Sequence, residues 1–128
     1  MAGCQIKTLL DSTGGSWQRG ALIGKAAGVF VSSSSLGRGQ ESTAWTFITQ
    51  VAHHGMIFVP MGYGCPELTN MTEVHGGSPY GAGTVCGSGK GSRLPSKLER
   101  DMAVYHGKMF GDTVMALMCG RAAREKLY

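Results

Sequence analysis

Two short apolar runs separated by a helical pattern constrain this chain more than any other feature. Ala26-Ala27-Gly28-Val29-Phe30-Val31 reads as one buried strand, and Met56-Ile57-Phe58-Val59 as a second, ended by Pro60. Between them, Glu41 to His54 places Ala44, Ile48, Val51 and Ala52 on one face, with Gly55 as the C-terminal cap. Ile6, Leu9 and Leu10 predict an earlier helix from Gly3 to about Asp11, stopped by Thr13-Gly14-Gly15. Near the other end, Ser96 and Glu99 form an S-x-x-E capping box. Leu98, Met102, Tyr105, Met109 and Ala116 follow at three- and four-residue steps until Gly120 stops that helix. Strands that alternate with helices predict an α/β protein with a parallel sheet. The 128 residues suffice for one domain and not for two.

The loops hold the functional signal. Glycine supplies 21 of 128 residues, far above its usual share of about 7%, so much of the chain is expected to be loop. From Pro60 to Pro95 no periodicity is visible, and a structureless stretch of that length is usually functional or disordered. In open parallel sheets ligands bind outside the carboxyl ends of the strands. Ser32-Ser33-Ser34-Ser35-Leu36-Gly37-Arg38-Gly39 occupies such a position, just before a helix. Its small residues let a flat ligand approach the backbone, and its hydroxyls and N–H groups suit oxygen-rich ligands. A merely flexible polar connection has the same composition. Trp17 and Tyr63 are aromatics in loops, where core packing is a weaker explanation than usual. His53, in the last turn before Gly55, either complements the helix dipole or faces a ligand. Two phosphate motifs nearly form and fail. Thr84 stands at the first Walker glycine ahead of Gly87-Ser88-Gly89-Lys90, and Cys86 at the third glycine of a Gly81-Ala82-Gly83 fingerprint.

Charge and cysteine exclude several classes. The net charge is +4, with basic clusters at Lys90, Arg93, Lys97, Arg100 and at Arg121, Arg124, Lys126. Neither is interleaved with aromatics, so they read as a solvated helix face and a charged tail, with no nucleic-acid partner. Cys4, Cys65, Cys86 and Cys119 form no C-x-x-C, and the spacing of Cys65, His75 and Cys86 matches no common zinc pattern, so no metal is expected. No apolar run nears the roughly 18 residues of a membrane span. Met1 to Lys7 carries no long apolar stretch of the signal-peptide kind, which predicts reduced thiols and a cytoplasmic location.

Five segments in one order resemble a known family. Leu10-Asp11-Ser12-Thr13-Gly14-Gly15-Ser16-Trp17 is similar to the LDQTGG-x-W segment of the flavodoxin-like NAD(P)H:quinone oxidoreductases of the WrbA type. Gly39-Gln40-Glu41-Ser42-Thr43 resembles their GGQE-x-T, and His53-His54-Gly55-Met56 their HHGM. Gly76-Gly77-Ser78-Pro79-Tyr80-Gly81-Ala82 resembles GGTPYGA, and Gly91-Ser92-Arg93-Leu94-Pro95-Ser96 resembles DGSRQPS. The resemblance implies an FMN enzyme that reduces quinones by two electrons with NADH or NADPH, as a tetramer. By position it implies FMN contacts from Ser32, Ser33, Ser34, Ser35, Leu36, Gly37 and His53, and quinone contacts from Trp17 and Tyr63. No side chain is implied as catalytic, because the cofactor carries the hydride chemistry.

The implied fold is a three-layer flavodoxin-like parallel sheet, of which residues 1–128 supply only strands 4 and 5 with their helices. The family's first strands and its FMN-phosphate loop have no counterpart, so Met1 reads as an internal methionine, of a truncated gene model, an alternative start or a degenerate copy. Two further readings follow from that gap. One is a catalytically inactive truncated paralogue that pairs with, or regulates, a full-length flavodoxin-like enzyme. The other is a flavin-independent nucleotide binder using Gly76 to Gly91.

Overall fold

In the computed structural model, residues 3–126 are described; Met1, read above as an internal methionine, lies outside them. The chain is α/β with small parallel sheets, compatible with part of a flavodoxin-like fold. Helix α1 spans Cys4–Asp11, α2 Gly14–Gln18, α3 Gln40–His53 and α4 Lys97–Glu125. Strand β1 is Ala26–Ala27, β2 Val31–Ser33, β3 Ile57–Phe58 and β4 Gly83–Val85. β1 pairs parallel with β3, in the register Ala26 to Ile57. β2 pairs parallel with β4, in the register Val31 to Gly83.

Four sequence expectations change. The single run Ala26–Val31 becomes two strands, because Gly28 to Phe30 leave the ladder where the partner switches from β3 to β4. The stretch from Pro60 to Pro95 contains β4 and two 3₁₀ turns, Pro66–Thr69 and Gly89–Gly91. Trp17 lies in α2 and not in a loop, since Thr13 and the following glycines permit a second, short helix. Gly120 does not stop α4, which runs on to Glu125. A capping glycine needs positive φ; Gly55 has it at +65°, whereas Gly120 stays helical and is followed by the helix formers Ala122 and Ala123.

The start of α4 obeys the sequence. Ser96 Oγ accepts from the Glu99 N–H at 3.2 Å, and Glu99 Oε2 accepts from the Ser96 N–H at 2.9 Å, completing the capping box. Ser96→Ala is expected to lower the unfolding free energy by about 1 kcal/mol, read by urea titration. The same hydroxyl donates to Glu73 Oε1 at 2.6 Å, so the cap also ties down the segment before Gly76.

Met61, Cys65, Ala82 and Met102 form a small buried core, flanked by Leu68, Leu98 and Tyr105. Large apolar side chains remain outside it: Phe30 is 85% exposed and Val104 72%. At the far end of α3, His54 is buried and bonds Thr13 Oγ1 at 2.8 Å. Thr13 Oγ1 spends its own proton on Leu10 O, so His54 Nε2 is the donor. That bond fastens the α1–α2 corner to α3. Among the described residues, no helix is long and apolar enough to cross a membrane.

Candidate functional site

The loop after β2 is built by three neighbours. Gly37 and Gly39 take φ of +68° and +75°, so the chain turns sharply before α3 begins at Gln40. Gln40 then fixes the loop from inside. Its Nε2 donates to Ser33 Oγ at 2.8 Å and to Thr84 O at 2.9 Å, while its Oε1 accepts from the Gly77 N–H at 2.9 Å. One side chain therefore joins β2, β4 and the Gly76-Gly77 turn. Ser33 Oγ passes its proton to Ser35 O at 3.0 Å, and Arg38 Nε donates to Ser35 Oγ at 3.0 Å.

A cavity of about 290 Å³ opens beside this loop, lined by Ser33, Ser35, Leu36, Gly37, Gln40 and His75 among others. A second, larger groove of about 660 Å³ runs along the other side, past Ser32, Ser33 and Ser34. The hydroxyls of Ser33 and Ser35 are engaged within the loop, whereas those of Ser32 and Ser34 make no hydrogen bond in the described structure. Space surrounds Gly37, with no atom within 4 Å of a side-chain position there. The loop thus offers free hydroxyl donors on a rigid frame next to open volume.

The glycine-rich segment that follows supplies the other wall. Gly76 packs so closely on β4 that a Cβ would lie 2.6 Å from the Thr84 nitrogen. Ser78 and Gly81 exchange two backbone bonds of 3.0 Å, making a tight turn with Pro79 and Tyr80 at its tip. Tyr80 meets Trp45 of α3 edge-on at 6.3 Å. His75 stands at the cavity wall with its Nδ1 2.7 Å from Gly76 O and its Nε2 3.0 Å from Asn70 O.

Beneath this wall lies the one buried ion pair among the described residues. Glu99 accepts from the N–H groups of Gly76 (3.0 Å), Val85 (2.9 Å) and Ser96 (2.9 Å) and from the Thr84 hydroxyl (2.7 Å). Arg93 binds it with both terminal nitrogens, at 2.8 and 2.9 Å. Burial alone would raise the Glu99 pKa, but these donors together hold it well below the carboxylate range. The Arg93 pKa rises in turn, chiefly through its bond to Glu99.

The sequence-predicted residues are only partly brought together. Ser32 and Ser33, expected in the loop, end strand β2 because they pair with Thr84 and Val85, and Ser34, Ser35, Leu36 and Gly37 continue from them as the loop beside the cavities. His53 is exposed at the opposite end of α3, roughly 20 Å along a helix of 14 residues. Trp17 and Tyr63 are exposed, at 58% and 72%, and no ring contact joins them among the described residues. Sequence reasoning missed Gln40 and His75 as site residues. Gln40 had a signal, since it sits inside the GGQE-like motif; His75 was weighed only as a zinc ligand with Cys65 and Cys86, and nothing local marks it as a cavity residue. Among the described residues no group of three or more His, Cys, Asp or Glu side chains is placed to hold a metal.

Comparison with known proteins adds a second line of observation. No protein-family model matches the chain. An NAD(P)H quinone oxidoreductase, PST3, of Candida albicans is 54% identical over 112 residues, covering 86% of this chain and 56% of its own. Quinone-oxidoreductase QR2 of Triphysaria versicolor is 52% identical over 84% of this chain and 52% of its own. Protoplast secreted protein 2 of Saccharomyces cerevisiae is 54% identical, over 86% and 56%. The chain spans about half the length of the curated relatives it matches.

Proposed function

We propose that this chain carries the loop-and-glycine half of an FMN-dependent NAD(P)H:quinone oxidoreductase site of the WrbA type. The observation that carries this reading is the 54% identity, over 86% of the chain, to a protein named as an NAD(P)H quinone oxidoreductase; FMN and the WrbA type come from the resemblance of the five segments. The site's chemistry agrees with it. A flavin ring edge presents carbonyl oxygens and ring nitrogens, and the free hydroxyls of Ser32 and Ser34 are donors and acceptors of the matching kind. The open space around Gly37 leaves room for a planar ring over the backbone. The residues present therefore fit the group. When bound, FMN supplies the two-electron chemistry between NADH or NADPH and a quinone.

The protein's part is to position and to exclude. Ser32 to Gly37 would hold the cofactor, with the loop kept rigid by Gln40. Trp17 and Tyr63 offer flat apolar surface to a quinone ring. His53 stands a helix length from the serine loop, so one chain does not present both to one flavin. That separation supports a homo-oligomer, a tetramer by resemblance, in which a neighbour's His53 completes the site.

An FMN titration of the purified chain tests this directly. The expected result is saturable one-to-one binding, followed by loss of flavin absorbance on adding NADH or NADPH and its return on adding benzoquinone. A folded chain that binds no FMN would refute the enzyme reading. It would favour the alternative of an inactive copy that pairs with a longer flavodoxin-like chain, to which the backbone groups of Gly28 and Phe30, in no backbone hydrogen bond among the described residues, are open.

A further inference from the structure

His75 is held by two acceptors at once. Its Nδ1 lies 2.7 Å from Gly76 O and its Nε2 3.0 Å from Asn70 O. A backbone carbonyl accepts and never donates, so each of these bonds needs a proton on its nitrogen. A neutral imidazole carries one such proton and the imidazolium carries two. The two contacts together therefore describe a charged ring. His54 and His106 differ in this respect. Each has one nitrogen bonded and the other without a partner, an arrangement that a neutral ring satisfies.

The ring closes a small loop. Asn70 follows the 3₁₀ turn Pro66–Thr69, and its N–H stays bonded to Glu67 O within that turn. Asn70 Oδ1 accepts from the N–H and the hydroxyl of Thr72, both at 2.8 Å, so Asn70-Met71-Thr72 is one compact tip. The rest of the segment is anchored without His75. Glu73 is held by the Ser96 hydroxyl, Val74 O by Arg93 Nη2 at 3.1 Å, Gly76 by Glu99 and Gly77 by Gln40. Among the described residues, the bond from His75 Nε2 to Asn70 O is what ties the tip to this anchored part. The same ring lines the 290 Å³ cavity beside Gly76 and Gly77.

We propose that His75 is a pH-operated clasp, whose doubly protonated ring ties residues 70–72 to the cavity wall and whose loss of one proton releases them. The bond to Gly76 O is the shorter and joins adjacent residues, so the neutral ring keeps its proton on Nδ1 and gives up Asn70 O. The charged groups around the ring have other partners. Glu67 accepts from the Cys65 thiol at 3.2 Å, Glu73 from the Ser96 hydroxyl, and Arg93 and Glu99 hold each other. Arg38 and Glu41 line the cavity with opposite charges, so the ring's own proton decides the sign of charge at that wall. Histidine changes its charge between about pH 5 and 8, so the clasp is closed on the acid side of that range and open on the alkaline side.

Nuclear magnetic resonance of the full chain tests this at the ring and at the tip. The nitrogen shifts of the His75 ring, assigned against His75→Gln, count its protons. The Thr72 methyl group, on a side chain bonded within the tip, reports the order of residues 70–72. At about pH 5.5 both ring nitrogens should be protonated and the methyl ordered; at about pH 8 the Nε2 proton should be lost and the order should fall to that of His75→Gln. His75→Gln has no titrating ring, so its Thr72 methyl should be equally mobile at both values. A single protonated nitrogen at the acid value would overturn the proposal, and so would two at the alkaline value. A neutral ring that keeps its proton on Nε2, or a tip whose order ignores the charge of the ring, would overturn it equally. All of these are read on the chain without flavin, so none depends on whether FMN binds.

Discussion

Glu99→Gln is expected to destabilise the fold by about 3–5 kcal/mol, the range for breaking a buried ion pair by removing one partner. The carboxylate is 3% exposed and faces donors only: three backbone N–H groups, one hydroxyl and the Arg93 fork. An amide of nearly the same volume keeps one acceptor oxygen and turns two N–H donors toward those groups. The backbone N–H groups of Gly76 or Val85 then lose a partner, and Arg93 is left with an uncompensated charge. Because these donors belong to the glycine turn, β4 and the α4 cap, loosening them also loosens the wall of the candidate site. Urea unfolding followed by circular dichroism measures the loss. A change below about 1 kcal/mol would show that the knot is not what holds these segments together.

The same residue sets a pH dependence with a definite sign. Glu99 ionises well below its usual value of 4.5 in the folded chain, since its hydrogen bonds outweigh the opposing effect of burial. A group with a depressed folded-state pKa contributes stability that is complete above the unfolded value and is lost as pH falls through the folded one. The wild-type chain should therefore lose Glu99's contribution progressively once the pH drops below 4.5. Glu99→Gln has no such contribution to lose, so its stability should fall less steeply over the same acid range. Thermal melts at a series of pH values compare the two slopes, and parallel curves would contradict the assignment.

Glu99 also shows where sequence reasoning reaches its limit. The S-x-x-E spacing identifies it as a capping residue, because capping is local and the partner lies three residues away. Its bonds to Gly76 and Val85 span 23 and 14 residues, and no local pattern encodes those distances. Strand β4 escapes for a related reason. Gly83-Thr84-Val85 is too short to show alternation, and what makes it a strand is its register with Val31–Ser33, which lies far earlier in the chain. The serine loop was legible because its residue types, its place after an apolar run and the helix that follows all point the same way. The placement of His53 was legible only as a helix end; that it stands away from the serine loop follows from the length of α3.

Gly81→Ala is expected to cost about 3 kcal/mol, at the upper end for overpacking a site that cannot yield. A Cβ on Gly81 would run into the Val29 carbonyl oxygen and come within 3.3 Å of the His106 ring. Val29 sits at the crossing between β1 and β2, so relief demands a shift of backbone rather than of a flexible side chain. Moving Gly81 back instead strains its two bonds to Ser78 and, through Pro79 O, the 2.8 Å bond from Gly62 that leads to Tyr63. The glycines of α4 supply the contrast. Gly107 and Gly111 lie inside a helix with nothing within 4 Å of an added Cβ, so alanine there should stabilise by about 0.5–1 kcal/mol each. Thermal melts of Gly81→Ala and Gly107→Ala should therefore move in opposite directions. If both fell, the helix glycines would be packed against something in solution; if both rose, the close approach of Gly81 to Val29 would be wrong. The richness in glycine thus has two physical meanings in one chain, obligatory where backbones touch at the site and dispensable along the exposed length of α4.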